Sequence, residues 1–261
     1  MYQRGSLMLS KRFFNSVLIL LFAGLLILCG TAYIPRFISV SGSSSGRDLP
    51  IYCVETEKPQ ISISFDCAWG DEYTQTILDI LASHKVKATF FMTGQWVEKY
   101  PESVKKIYES GHDLGNHSEN HPYMTKLGEE EKAQEILSVH DKVKELTGYE
   151  MFLFRAPYGD YDNDVIACIK ENGYYPIQWD VDSLDWKDYG SQDIIKKITE
   201  NAKLGNGSII LCHNGAKYIT DALDTVLSTL QEKGYEFVPI SQLIYKDQYY
   251  INHEGRQIPE I

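Results

Sequence analysis

Three observations predict an α/β fold with a parallel sheet. Short apolar runs alternate with segments of helical spacing, the alternation repeats about seven times, and ionisable residues gather just after the apolar runs. Periodicity leaves two architectures open, an open doubly wound sheet and a closed barrel. Both place chemistry at the C-terminal ends of the strands.

The first 46 residues stand apart from this pattern. They carry Arg4, Lys11, Arg12 and Arg36 without any Asp or Glu, a charge of +4, whereas the rest holds 21 basic and 36 acidic groups, or −15. A surface so acidic repels a phosphate backbone, which excludes nucleic-acid binding through a basic face. Residues 13–34 read FFNSVLILLFAGLLILCGTAYI, uncharged and long enough to cross a hydrocarbon core. Lys11 and Arg12 precede this run, and positive charge stays on the cytoplasmic side. Residues 1–12 are therefore expected in the cytoplasm, 13–34 as a retained single-pass anchor, and everything after them outside the membrane. A cleaved signal peptide is the alternative, but the run exceeds the usual core of about 7–15 residues and no A-x-A site follows. Residues 35–54 form a lead-in whose SVSGSSSG stretch is a flexible tether. Five cysteines are too few for a disulfide framework, and Cys53, Cys168 and Cys212 belong to no motif.

The folded region is expected over residues 55–245, with 246–261 as a tail. Ile61–Asp66 (ISISFD) reads as its first strand, and Tyr73–Lys85 as a helix with Ile77, Leu78 and Leu81 on one stripe. Lys87–Met92 is a strand, followed by one helix that ends at Ser110–Gly111, where glycine supplies a left-handed cap. His112–His117 is the third strand. Glu129–Thr147 is the longest helix, with Ile136, Val139, Val143 and Leu146 in register and Gly148 ending it. Met151–Ala156, Tyr174–Val181, Ser208–Cys212 and Tyr235–Pro239 complete the strands, with helices near 162–172, 191–203, 220–233 and 241–245.

Each candidate functional residue lies at or beyond a strand end: Asp66 ends the first, His117 ends the third with His121 soon after, and Arg155 ends the fourth. Asp180, Asp182 and Asp185 follow the fifth, and His213 follows the sixth. A random scatter would not favour one edge so consistently. His117 and His121 stand four residues apart, close enough to share a cation, and neutral imidazole suits zinc and its neighbours. Asp66 is a candidate ligand or base, though a carboxylate after a strand is often a helix cap or a turn former. His213 is a candidate acid, with turn punctuation before Asn214-Gly215 as the plainer reading. His84, His112, His140 and His253 lack comparable placement and read as structural. Trp69, Tyr158, Trp179 and Trp186 fall in the same segments and offer flat faces to a sugar, Trp179 more as a core residue.

Ser64-Phe65-Asp66, His117-Ser-Glu-Asn-His121, Arg155-Ala-Pro-Tyr-Gly159, Asp185-Trp186 and Leu211-Cys-His213 resemble, in order, the five motifs of the polysaccharide deacetylases of carbohydrate esterase family 4. This is the NodB-homology domain, and the resemblance covers about residues 55–245. The phrases Phe65-Asp-Cys-Ala-Trp-Gly70 and Trp179-Asp-Val-Asp-Ser-Leu-Asp-Trp186 look most like its sporulation-associated subgroup. The resemblance implies a distorted (β/α) barrel of about seven strand–helix units. It also implies removal of acetyl groups from an N-acetylated amino-sugar polymer, plausibly peptidoglycan, with one divalent metal ion, zinc or cobalt. By the same resemblance, His117 and His121 are the metal ligands, Asp66 is the base, and His213 is the acid that protonates the leaving amine. Arg155 holds the base ionised, Asp185 pairs with the acid histidine, the backbone N–H of Tyr158 receives the oxyanion, and Trp186 shapes the acetyl pocket.

One position departs from the pattern. The family's third metal ligand is an aspartate directly after the base, and here that place is Cys67. Cysteine is a small core residue as readily as a thiolate ligand, so Cys67 is expected to pack, with ligation as the alternative and Asp71 or Glu72 as substitutes from the next loop. Metal occupancy is the weakest link, and a glycan-binding protein without turnover, or a hydrolase of another amide, remains in competition. The substrate glycan and the bilayer are the expected partners. No protein partner is inferred.

Overall fold

The computed structural model of the protein describes residues 46–260, so the anchor expected over 13–34 and the segment 1–12 lie outside the described residues. Among the described residues no helix is long and apolar enough to cross a membrane.

The strands are β1 (Cys53–Val54), β2 (Gln60–Cys67), β3 (Thr89–Met92), β4 (Asp113–Asn116), β5 (Leu153–Phe154), β6 (Tyr175–Pro176), β7 (Val181–Asp182), β8 (Ile209–His213), β9 (Glu236–Phe237), β10 (Tyr249–Ile251) and β11 (Arg256–Pro259). The helices are α1 (Thr74–Ser83), α2 (Gly94–Lys99), α3 (Pro101–Glu109), α4 (Glu129–Thr147), α5 (Asn163–Glu171), α6 (Ser191–Thr199), α7 (Ile219–Glu232) and α8 (Ile240–Leu243). The main sheet runs β6-β5-β4-β3-β2-β8-β7, with β9 paired to the start of β2, and its ladders are parallel. β6 and β7 follow one another in the chain yet stand at opposite ends of this order, so the sheet curls towards a barrel that hydrogen bonds do not close. That is the distorted (β/α) barrel.

The strand sequences specify two faces. Along β2, Ile61, Ile63, Phe65 and Cys67 join the core formed with Ile77, Leu81, Val104 and Ile136 of the surrounding helices. The alternate residues Ser62, Ser64 and Asp66 point the other way, as a two-residue period requires. Ser62 and Ser64 donate their hydroxyl protons to the carbonyls of Val238 and Ile210 at 2.6 and 2.7 Å, so neither polar group is buried unpaired. Inward residues of the neighbouring strands, Phe91, Leu153 and Ile209, form a second core with the C-terminal segment.

Several boundaries differ from expectation for identifiable reasons. The helix expected up to Ser110 is two helices, because Pro101 has no N–H to continue α2 and starts α3 instead. Tyr174–Val181 is not one strand. Ile177 and Gln178 hydrogen-bond to Phe154 and Ile51, Asp180 bonds to Ile209, and the chain crosses between the two edges of the sheet. The helix at Ser191 ends at Thr199, short of Lys203. Within the segment expected as a tail, β10 and β11 pair antiparallel, and β11 pairs in parallel with β1. The described cysteines are free and buried.

Candidate active site

β2 and β8 lie in a register that sets Asp66 beside His213, and β2 and β3 in one that sets Asp66 beside Phe91. The strand ends thus bring together residues far apart in sequence, around a cavity of about 440 Å³ lined by Asp66, Trp69, His117, His121, Tyr158, Trp179, Asp182, Trp186, Leu211 and His213. Arg155 and Asp185 stand behind it, both buried. The residues to which the resemblance gives roles meet in this one place, whereas Asp180 does not line the cavity: its carboxylate accepts from the Ile209 N–H at 2.8 Å and the Ser208 hydroxyl at 2.9 Å.

Asp66 is almost wholly buried, and its Oδ1 accepts a 2.7 Å bond from Nη1 of Arg155. Burial alone would raise its pKa, but the charge of Arg155, helped by His117 and His213, holds it below the usual carboxylate range. Arg155 lies with its guanidinium 4.0 Å above the Phe91 ring and also donates to the carbonyl of Gln178. Phe91 in turn packs over Gly115, where an added Cβ would meet the ring at 2.4 Å. Glycine at 115 therefore makes room for the ring on which Arg155 rests.

His117 donates from Nδ1 to the carbonyl of Arg155 at 2.7 Å, since a carbonyl can only accept. Its Nε2 then carries the lone pair, and it faces Oδ2 of Asp66 at 3.4 Å. Burial lowers the pKa of His117 and pushes that of His121 to about 4, so both rings are neutral at pH 7. The rings stand edge to face, 4.8 Å apart. Two neutral imidazoles, with a lone pair aimed at a carboxylate, suit a divalent cation chemically, because a positive charge between Nε2 and Oδ2 would relieve that contact. Cys67 does not add a third donor. It is fully buried on the opposite face of β2, its Sγ 3.7 Å from the carbonyl of Phe65, and burial, reinforced by Asp66, raises its thiol pKa well above the ordinary value. Asp71 accepts from the Ser103 hydroxyl at 2.9 Å. Among the described residues, no group of three or more His, Cys, Asp or Glu side chains is arranged to hold an ion.

The other side of the cavity is built differently. Oδ1 of Asp185 accepts from Nδ1 of His213 at 2.7 Å, and its Oδ2 accepts from the His213 backbone N–H, also at 2.7 Å. Burial would lower the pKa of His213, but its hydrogen bond to Asp185 and that residue's charge outweigh burial and raise it. Trp69 stacks on the His213 ring at 5.2 Å, and Trp186 is more than half exposed beside the cavity. Trp179 was expected mainly in the core. It packs against the second core and, only partly buried, also lines the cavity 5.5 Å from the Arg155 guanidinium.

Left-handed backbone clusters here. Ser118, His121, Tyr158, Leu184 and Asp188 have φ between 53° and 67°, a region that L residues occupy at some cost. Sequence reasoning missed Tyr123, whose exposed ring stacks on Tyr158 at 4.3 Å and 17°. Its only sequence signal is that it follows the second histidine by two residues.

The curled parallel sheet, the paired imidazoles and the two carboxylate-supported groups at the strand ends describe the acid–base site of a (β/α)-barrel hydrolase. The chain belongs to the polysaccharide deacetylase family, whose model matches residues 54–177. A peptidoglycan-N-acetylglucosamine deacetylase of Bacillus cereus is 33% identical over 230 residues, which cover 81% of this chain and 82% of that protein. Among solved structures, the Bc1960 peptidoglycan N-acetylglucosamine deacetylase in complex with an N-hydroxybenzamide superposes with a TM-score of 0.71 at 32% identity, covering 74% of this chain and 92% of that one. A wild-type family pseudoenzyme from Bacillus anthracis superposes with a TM-score of 0.72 at 30% identity, covering 80% and 72%.

Proposed function

We propose that the protein is a metal-assisted N-deacetylase of an N-acetylated amino-sugar polymer, peptidoglycan being the substrate, and that residues 13–34 anchor it in the membrane with the catalytic region outside. The likeness in 65–70 and 179–186 supports a place in the sporulation-associated subgroup. The observation that carries the activity is the pairing of an ionised carboxylate with a protonatable histidine across one cavity: Asp66 held by Arg155 at 2.7 Å, and His213 held by Asp185 at 2.7 Å.

His117 and His121 would hold the divalent cation, zinc or cobalt, and bound there it would supply polarisation of water and of the amide carbonyl. The chain's own groups do the rest. Asp66, kept ionised by Arg155, accepts a proton from the attacking water. The hydroxide adds to the acetyl carbonyl, and the backbone N–H of Tyr158 donates to the oxygen that gains charge. His213, whose pKa Asp185 raises, delivers its proton to the departing nitrogen as the C–N bond breaks. The products are acetate and a free amine. Trp186 and Trp69 bound the space for the acetyl group.

The experiment is acetate release by the purified full chain from N-acetylglucosamine oligomers and peptidoglycan, after chelation and then with zinc or cobalt restored. Metal-dependent release that disappears in Asp66→Asn is expected. A second reading has a specific observation behind it. With Cys67 turned into the core, the protein would lack a third metal ligand and act as a glycan-binding protein without turnover, as the pseudoenzyme likeness suggests. Glycan binding without acetate release, at saturating metal, would establish that reading.

A further inference from the structure

Relatives of this chain are named for action on a polymer, and a cavity of about 440 Å³ lies near the small end of ligand pockets, which run from about 300 to 1,000 Å³. Sugars on either side of the one that enters must therefore rest on the rim. The rim beside His121 carries an unusual pair. Tyr123 and Tyr158 are 54% and 59% exposed, yet their rings are stacked almost parallel. Tyr158 lines the cavity, and Tyr123 is stacked on it.

The pair is held in place from beneath. Tyr123 precedes a short 3-10 turn, Met124–Lys126, in which Met124 is fully buried. Thr125 of that turn donates its backbone N–H and its hydroxyl to the Asp160 carboxylate, each at 2.9 Å. Asp160 follows the turn Pro157–Gly159 that carries Tyr158, so one carboxylate clamps together the two loops that bear the rings. Tyr158 itself sits at φ 60°, and the His121 ring meets it edge to face at 4.6 Å. Two large apolar rings kept in the open by left-handed backbone, a buried anchor and a charged clamp are poorly explained by folding stability. Because the two rings stack face to face and the His121 ring also packs on Tyr158, the flat surface left for a ligand is the outer face of Tyr123. A pyranose ring presents axial C–H groups on one face and stacks on such surfaces.

We propose that the outer face of Tyr123, backed by the Tyr158 ring and held by the Thr125–Asp160 clamp, forms a stacking subsite for the sugar next to the one whose amide enters the cavity, so that the protein recognises a strand of at least two sugars. This rests on the proposed glycan substrate but not on turnover. Tyr123 touches the neighbouring sugar, and Asp160 is a positioning residue that acts through the loops.

The test measures binding by calorimetry, with the full chain and N-acetylglucosamine monomer, dimer, trimer and tetramer as probes. Affinity is expected to rise from monomer to trimer. Tyr123→Ala should lose about five- to tenfold of that gain while leaving monomer binding unchanged, and Tyr123→Trp should keep it. Asp160→Asn should fall between, since a neutral amide clamps Thr125 less firmly. The same length dependence should persist in Asp66→Asn. Length-dependent binding without acetate release would sink the deacetylase reading and leave the platform standing. Equal affinity for all lengths, no detectable binding, or Tyr123→Ala indistinguishable from wild type would overturn the platform, whether or not acetate is released.

Discussion

Two histidine–carboxylate contacts face each other across the cavity, and they are biased in opposite directions. His117 lies 3.4 Å from Asp66, and its pKa is lowered; His213 lies 2.7 Å from Asp185, and its pKa is raised. Burial opposes protonation of both rings and prevails at His117, where Asp66 makes no hydrogen bond to the ring and the charge of Arg155 adds to burial, whereas at His213 the hydrogen bond and charge of Asp185 outweigh it. Asp66 is bonded to Arg155, and His117 donates its proton to a backbone carbonyl. Asp185 directs one oxygen to the His213 ring and the other to the His213 backbone. Proximity of a carboxylate does not by itself charge a histidine. One side of the cavity thereby offers lone pairs and the other offers a proton, which is the division of labour that amide hydrolysis needs.

The comparison is broken most severely by removing the base. Asp66→Asn should lower kcat by about a thousandfold or more in acetate release, with the circular dichroism spectrum of the folded protein retained. Arg155→Met comes next, because it leaves Asp66 buried without its partner. It should cost about 3–5 kcal/mol in urea unfolding, and the double variant Asp66→Asn, Arg155→Met should cost less than the sum of the two single changes. On the opposite side, Asp185→Asn should reduce kcat by roughly a hundredfold and move the alkaline limb of the pH–rate profile to lower pH. The sign follows from the raised pKa of His213: without Asp185 the acid loses its proton at a lower pH. An unmoved limb would remove His213 from the acid role.

A third histidine, far from the chemistry, sharpens the rule about burial. His112 accepts from the Ala88 N–H, and burial, with Lys87 adding to it, pushes its pKa down to about 4. Its folded form resists protonation, so its contribution to stability is whole above about pH 6.5 and is lost as pH falls towards 4. His112→Gln should flatten the stability curve over that window by about 3 kcal/mol, read from urea midpoints. The smallest effect belongs to position 67. Cys67→Ala should leave zinc affinity unchanged and cost about 1 kcal/mol, since it deletes a packed sulfur and not a ligand. A sharp loss of zinc affinity would put the thiol in the metal site after all.

Much of this geometry was legible in the sequence. Glu129–Thr147 follows its apolar stripe from end to end and stops at Gly148, which adopts φ 73°. The strand ends identified the cavity because a parallel sheet collects them along one edge. The orientation of Cys67 was legible as well: it shares the parity of Ile61, Ile63 and Phe65, whereas Asp66 shares that of Ser62 and Ser64. What the sequence hid depends on contacts between distant segments. β10 and β11 are short and pair with each other, and β11 finds its second partner at Cys53–Val54, some 200 residues earlier, so no local pattern announces the sheet they form. The Tyr123–Tyr158 stack is a meeting of two loops and has no periodicity at all.

The ring of Phe91 carries the Arg155 guanidinium, and the space for that ring exists because residue 115 has no side chain. A mutational survey of this protein would therefore find intolerance at a buried position that carries no side chain. Gly115→Ala inserts a single methyl group, yet its nearest neighbour is the support of the cation that sets the charge on Asp66. The reactivity of the base is written partly into a backbone site, through a glycine that leaves room for the ring under Arg155.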